Sequence, residues 1–421
     1  MIRFYNGKIL SFDDVSCRIG EGECWVDGDV ISYVGPKPDE MPGFEREIDL
    51  GGNLLMPGFK NSHAHTAMTF LRSLADDKPL HRWLNESVFP NEAKLTDEAV
   101  YNFARIGIME YLTSGITSCF DMYFHNEAYT AAVVDSGYRS VICASLNDFD
   151  KDPENIEREY LKYNGMNDRL SYILGLHAEY TTCVERMEYL SSLAGKYGSP
   201  CFVHLSETKA EVEGCIERHG MTPPQYLDSI GFFDYGGGGY HCVWFNDEDI
   251  ALFAEKGLFA VTCPASNMKL ASGVAPVEKM RKAGIRLAIG TDGAASNNAL
   301  DMFREMYLVS VLQKNLLGDA SACPADEVLR MACVNGADMI GLSCCNNLAV
   351  GKKADLIVLD LSRPNMQPEH NTVKNIVYSG SKENVLLTMV NGKVLYEKGE
   401  FFIGEDPQSI YAKAKEFVST L

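Results

Sequence analysis

LLMPGFKNSHAH, residues 54–65, is an apolar stretch that breaks off into polar residues, with imidazoles at positions 63 and 65. It reads as a buried β-strand running out into a loop. Seven further runs of the same kind follow: GITSCFDMYF (115–124), YRSVICASL (138–146), SYILGLHAEY (171–180), SPCFVHLSE (199–207), GGGGYHCVWF (236–245), GLFAVTCPASN (257–267) and IRLAIGTDG (285–293). Amphipathic segments such as LTDEAVYNFARIGIMEYLTS (95–114) and VEKMRKAGI (277–285) lie between them. Strands that alternate with helices specify a parallel sheet, and eight β-runs is the number that closes a (β/α)8 TIM-type barrel.

Outside this stretch the pattern changes. RFYNGKILSF (3–12) and CRIGEGECWVDGDVISYVG (17–35) alternate in the manner of hairpins, with Gly and Asp as punctuation. KKADLIVLDL (352–361) and NVLLTMVNGKVLYEKGEF (384–401) return to β character, before a last helix in PQSIYAKAKEFVST (407–420). Chain ends of a domain commonly meet, so residues 1–56 and 351–421 are expected to join in one small β-sandwich domain beside a barrel of residues 57–350.

Composition narrows the function classes. At 421 residues, with 46% hydrophobic and 23% charged residues, the chain has material for a large core. No apolar run is long enough to span a bilayer, and MIRFYNGKIL reads as a first strand rather than a signal peptide. The 13 cysteines have no repeating spacing, which suits reduced thiols and a cytoplasmic setting over a disulfide scaffold. With 58 acidic against 38 basic residues the formal charge is −20, which repels phosphate backbones. Neither nucleic acid nor membrane is an expected partner; a small molecule is.

In a barrel of this class the reactive groups sit where strands end and loops begin. His63 and His65 close the first β-run, His177 the fourth; the fifth carries His204 and Glu207, the sixth His241 and the eighth Asp292. Residues two apart on a strand face the same way, so His63 and His65 address one point. Added to His204 and Asp292 they make three imidazoles and one carboxylate, a set that holds a zinc-like ion and leaves it a place for water. Such an ion brings the pKa of water down to about 7, and Asp292 stands ready to accept the proton. Glu207, three residues beyond His204, is read as a proton shuttle to the leaving group, in preference to an exposed acid at a helix start. His241 is read as a hydrogen-bonding partner of the attacking oxygen. His177-Ala178-Glu179 with Pro200-Cys201 falls short of a cytidine-deaminase zinc signature, because residue 204 is histidine where a second cysteine is required.

Taken in order, MPGFKNSHAHTAMTFLRSLADDKPLHRWL (56–84), FPNEAKLT (89–96), DMYFH (121–125), FVHLSET (202–208), GYHCVWF (239–245), PASNMKLASGVAPV (264–277), GTDGAASNNALDMF (290–303) and GKKADLIVLDL (351–361) resemble the amidohydrolase superfamily. Within it the chain resembles the S-adenosylhomocysteine/5′-methylthioadenosine deaminases. The resemblance spans nearly the whole chain and implies one divalent ion per subunit, zinc with iron(II) or manganese(II) as alternatives, on His63, His65, His204 and Asp292. His177, standing where binuclear relatives carry a bridging lysine, implies a single ion. The implied chemistry is hydrolysis of the C–N bond of a cyclic amidine: hydroxide attacks C6 of adenine while Glu207 protonates N1 and ammonia leaves. His177 and Ser296 would touch the purine, Glu92 would bind the ribose hydroxyls, Trp83 would line the pocket, and a homo-oligomer would be in keeping.

One departure bears on the substrate. Deaminases that take S-adenosylhomocysteine meet its carboxylate with arginines after the third strand. Here CASLNDFDKDPENIERE (143–159) offers only Arg158, with Ala144 and Ser145 where an arginine is looked for. A partly desolvated carboxylate needs a cation beside it. Neutral 5′ groups are therefore expected, as in 5′-methylthioadenosine, 5′-deoxyadenosine or adenosine, with S-adenosylhomocysteine less favoured. The competing enzyme reading is deamination of a free heterocycle (guanine, isoguanine, a pterin or a triazine). The competing non-enzyme reading is a barrel scaffold, which the intact ligand set argues against.

Overall fold

The computed structural model describes residues 1–13, 16–74, 76–78 and 80–421. The N-terminal strands are β1 (Ile2–Phe12), β2 (Cys17–Asp27), β3 (Val30–Gly35), β4 (Arg46–Asp49) and β5 (Leu54–Pro57). The parallel set that follows is β6 (Phe59–His65), β7 (Ile116–Met122), β8 (Arg139–Cys143), β9 (Leu170–Ala178), β10 (Cys201–Leu205), β11 (Gly237–His241), β12 (Phe259–Thr262), β13 (Arg286–Ile289) and β14 (Asp292–Gly293). The chain ends with β15 (Leu356–Leu359), β16 (Val385–Val390), β17 (Lys393–Glu397) and β18 (Glu400–Phe401).

The parallel strands pair in chain order from β6 to β13, and β14 closes on β6 through Asp292 opposite Ala64 and Gly293 opposite His65. This is the TIM-type barrel the β-runs specify, its eighth strand broken into β13 and β14. Gly290 lies in the break. A Cβ there would stand 2.7 Å from the Cβ of His63 and 2.8 Å from its backbone nitrogen, so only glycine lets the last strand approach the first. Strands β7, β8, β10 and β11 are buried at every residue, which is why they read as unbroken apolar runs.

The two ends of the chain share a second sheet, in the order β18-β17-β16-β15-β5-β1-β2-β3, with β4 on β1. β5 and β15 are the antiparallel join, Leu54 opposite Leu359 and Pro57 opposite Leu356. This sheet has a core of its own that includes Phe4, Val26, Ile31, Leu55, Leu356 and Met389. It meets the barrel at the N-terminal ends of the parallel strands. There Arg139, the first residue of β8, pairs at 2.7 Å with Asp355, and both are buried. Asp355 also accepts from the Asn391 amide at 2.8 Å, and Arg139 donates to the Asn391 side chain at 2.8 Å. Helix Asp97–Thr113 starts on Thr96, whose hydroxyl accepts from the Ala99 amide at 3.2 Å, with Asp97 and Glu98 against the positive end. Among the described residues no helix is long and apolar enough to cross a membrane.

Candidate active site

The opposite end of the barrel, where the parallel strands finish, is open. Its side chains converge as the strand-end reading requires. His63 and His65 project from β6, their rings 4.8 Å apart and nearly perpendicular. His63 is wholly buried and stacks on Tyr240 at 3.9 Å. One oxygen of Asp292, Oδ1, lies 3.5 Å from Nε2 of His63 and 3.2 Å from Nε2 of His65. Nε2 of His204 is 3.3 Å from Nε2 of His65. Two groups of three possible ligands overlap on His63: one with His65 and Asp292, the other with His204 and His241.

The rings are aimed from behind. Nδ1 of His65 meets the Met122 carbonyl, and Nδ1 of His204 meets the His177 carbonyl at 2.7 Å. A carbonyl only accepts, so Nδ1 carries the hydrogen in both rings and each Nε2 faces the centre. Nδ1 of His241 meets Oδ1 of Asn267 at 2.7 Å. Asp292 is fixed likewise: Oδ2 accepts from the hydroxyls of Ser266 and, at 2.9 Å, Ser296, leaving Oδ1 for the centre. Non-glycine residues in the left-handed region gather here, with Ser206, His241 and Asp292 at φ of 50°, 69° and 58°. Such conformations cost of order 1–3 kcal/mol and persist where the surroundings dictate them.

Electrostatics and donor chemistry fit a divalent cation. Burial pushes His63 down to about 3 and holds His204 well below the usual imidazole range, so both rings are neutral donors. Burial also opposes charge on His65, but the Asp292 carboxylate outweighs it and lifts His65 to about 9. Asp292, despite its own burial, is held well below the usual carboxylate range by His63 and His65. Neither ring nitrogen of His63 has a hydrogen-bond partner among the described residues, a costly state for a buried polar group unless a cation takes it up. Nitrogen and oxygen donors of this mixture suit zinc and its neighbours in the first transition row.

Above the cluster lies a cavity of about 700 Å³. His65, His177, His204, Glu207, His241, Asp292 and Ser296 form its floor, while His63 sits beneath it. Glu207 lies on the loop after β10, outside the helix Lys209–His219 that Thr208 caps. Its Oε1 accepts from Ser272 at 3.1 Å, and its Oε2 is 3.9 Å from Nε2 of His241. Glu211 shapes that loop, its carboxylate accepting the Ser206 and Glu207 amides at 2.6 and 2.8 Å.

Trp83 and Glu92 are part of the wall. Glu92 accepts from the Tyr123 hydroxyl at 2.7 Å, and burial pushes it up to about 7. His177 meets Thr181 through Nδ1 at 3.0 Å, and the Ser296 hydroxyl is engaged with Asp292 rather than free. Phe89, Phe124 and Phe149 stand at the mouth, and no lysine or arginine lines the cavity among the described residues. Arg158 is turned to Asp152 on the surface. Sequence reasoning did not single out Tyr123, Glu211, Asn267, Ser266 or Ser272. Tyr123 could have been suspected from its place at a strand end, two residues after Asp121.

The amidohydrolase family model matches residues 54–395. A Moorella thermoacetica protein named 5-methylthioadenosine/S-adenosylhomocysteine deaminase is 39% identical over 404 residues, 94% of each chain. A Methanothermobacter thermautotrophicus protein named 5′-deoxyadenosine deaminase is 40% identical over 367 residues, 85% of this chain and 86% of its own. Among solved structures, an adenosine deaminase from Xanthomonas campestris with bound zinc superposes with a TM-score of 0.94 at 30% identity, covering 100% of this chain and 99% of that one.

Proposed function

The chain belongs to the amidohydrolase family, and we propose that it is a metal-dependent hydrolytic deaminase of adenosine-type nucleosides with neutral 5′ groups. The observation that carries this is the cluster in which Oδ1 of Asp292 lies 3.5 and 3.2 Å from Nε2 of His63 and His65, and Nε2 of His204 lies 3.3 Å from that of His65, beneath a cavity that also holds Glu207. His63, His65, His204 and Asp292 would hold one zinc ion per chain, the metal of the Xanthomonas enzyme. Bound there, zinc supplies Lewis acidity and water with a pKa near 7.

The remaining work falls to the chain's own side chains. Glu207 protonates N1 of the purine as water adds to C6, and Asp292 receives the proton that the water gives up. His241, held by Asn267 at 2.7 Å, steadies the incoming oxygen through Nε2. The C6–N bond then breaks as the amine takes the proton held by Asp292 and leaves as ammonia, and the C6 hydroxyl returns a proton to Glu207. Trp83, His177 and Ser296 bound the purine. Glu92 accepts from the ribose hydroxyls, a role that a free heterocycle would leave it without. Among the described residues the cavity wall carries no lysine or arginine to pair with the carboxylate of S-adenosylhomocysteine.

The test is a substrate panel on zinc-loaded enzyme, reading ammonia release. Turnover of 5′-methylthioadenosine, 5′-deoxyadenosine and adenosine is expected, with S-adenosylhomocysteine at least tenfold lower in kcat/KM. The substrate reading is lost if guanine or a pterin is the better substrate. The tail reading is lost if S-adenosylhomocysteine leads.

A further inference from the structure

Cys344 and Cys345 occupy a short 3-10 turn, Ser343–Cys345, between the barrel and β15. Cys344 is exposed and Cys345 buried, yet their sulfurs lie 3.6 Å apart, the one sulfur–sulfur contact among the described residues. Several hydrogen bonds hold the turn. The Cys345 amide donates to the Leu342 carbonyl at 2.8 Å, the Lys353 amide to the Cys344 carbonyl at 2.7 Å, and the Ser343 hydroxyl to Asp338 at 2.7 Å. The pair is therefore pre-set, with one sulfur reachable from water and the second directly behind it.

The span selects a ligand geometry. A disulfide needs about 2.05 Å between sulfurs. Two sulfurs each about 2.3 Å from one centre, at an angle between roughly 90° and 110°, stand about 3.3–3.8 Å apart, a range that includes the spacing here. Among the described residues no histidine or carboxylate completes a three-ligand set at the pair; both such sets lie at the active site. Two sulfurs with no third protein ligand suit a soft electrophile that carries its own third substituent. The chemical environment agrees. The Cys345 thiol donates to the Cys344 sulfur and, with the field of Arg139, holds Cys344 below the usual thiol range. Cys345 is held above that range, so Cys344 is the attacking thiolate and Cys345 the thiol that follows.

We propose that Cys344 and Cys345 form a dithiol site that captures a trivalent monoorganoarsenical through both sulfurs. The Cys344 sulfur attacks arsenic in R–As(OH)₂; one As–S bond forms and one As–O bond breaks. The Cys345 sulfur repeats the step, closing a ring that contains both sulfurs and arsenic. The Cys345 proton and one proton from solvent leave with the two hydroxyl groups as two waters, and neither arsenic nor sulfur changes oxidation state. The site stands at the barrel end that carries Arg139 and Asp355, opposite the cavity, and no cysteine lines the cavity among the described residues.

The test uses the full-length, metal-loaded protein with one equivalent of phenylarsine oxide, a glutathione wash, intact mass and peptide mapping. The expected result is one phenylarsenic group per chain on the peptide holding residues 344 and 345, with two hydrogens lost. Glutathione should leave it in place and dithiothreitol should remove it. Cys344→Ser and Cys345→Ser should each reduce the retained label at least tenfold. Cys344 is exposed, so Cys344→Ser decides the matter even if Cys345→Ser fails to fold. Full label on a folded Cys344→Ser protein, label on another peptide, or no retained label on the unaltered protein would overturn the proposal.

Discussion

Replacing Glu207 by glutamine removes the proposed proton donor while leaving nearly everything else in place. The side chain keeps its length, and its amide oxygen can still accept from Ser272, now at 3.1 Å from Oε1. The loop is fixed independently, because Glu211 holds the Ser206 and Glu207 amides at 2.6 and 2.8 Å. Glu207 is also no member of either three-ligand group, so metal content should not change. What is lost is proton transfer to N1. General acid–base catalysis of this kind contributes about 10²–10⁴-fold, or roughly 3–5 kcal/mol of transition-state stabilisation. For Glu207→Gln we therefore predict kcat on 5′-methylthioadenosine down by about 10²–10⁴, KM within about threefold of the unaltered enzyme, and unchanged zinc stoichiometry and melting temperature. The assay is the absorbance change from the adenine to the hypoxanthine ring, with zinc measured on the same samples. A fall below tenfold with zinc retained would refute Glu207 as the proton shuttle, whatever the substrate.

Glu92→Gln should cost about 10–100-fold in kcat/KM for a nucleoside, the value of a hydrogen bond to a charged group, and leave any free-base turnover unaffected. Burial raises Glu92 to about 7, so its carboxylate form, and with it the proposed ribose binding, is present above that pH; KM should rise as pH falls through 7 and become flat in the glutamine variant. Glu211→Gln turns an –NH₂ toward backbone amides that need an acceptor, so kcat should fall roughly tenfold, while Glu211→Asp should recover part of it. Asp355→Ala leaves Arg139 buried without its partner and should lower unfolding stability by about 3–5 kcal/mol in urea titration, with kcat of the folded fraction unchanged. Arg139 holds the Asp355 carboxylate below its usual range against burial, so this stabilisation is present above the ordinary carboxylate pKa and is lost as pH falls through the lower folded value. The stability difference between the two proteins should therefore shrink as pH falls below about 4, and a difference that stays constant would count against this reading.

What could be read from the sequence follows physical periodicity. His63 and His65 were legible because the two-residue repeat of a strand aims both at one point, and the strand ends where the apolar run ends. Glu207 was legible through His204, since both belong to one strand end. The break between β13 and β14 was not: it depends on how closely Gly290 passes His63, a contact between the first strand of the barrel and the last. The residues that orient the site were hidden for the same reason. Ser266 reaches Asp292 across 26 positions and Tyr123 reaches Glu92 across 31, and no local pattern records such pairs. That the two chain ends meet could be anticipated from domain anatomy, but the Leu54–Leu359 register could not. The sulfur contact of Cys344 with Cys345 likewise depends on the turn that holds them, which adjacency alone does not specify.

If this site deaminates nucleosides only with a metal on His63, His65, His204 and Asp292, activity must follow occupancy of those ligands. The most direct measurement is ammonia release from 5′-methylthioadenosine by enzyme stripped of metal with a chelator, then titrated with zinc, with His63→Ala as control. No turnover is expected in the stripped enzyme, with recovery that saturates at one zinc per chain and no recovery in His63→Ala. Deamination that persists in the stripped enzyme, or that zinc restores equally in His63→Ala, would contradict it.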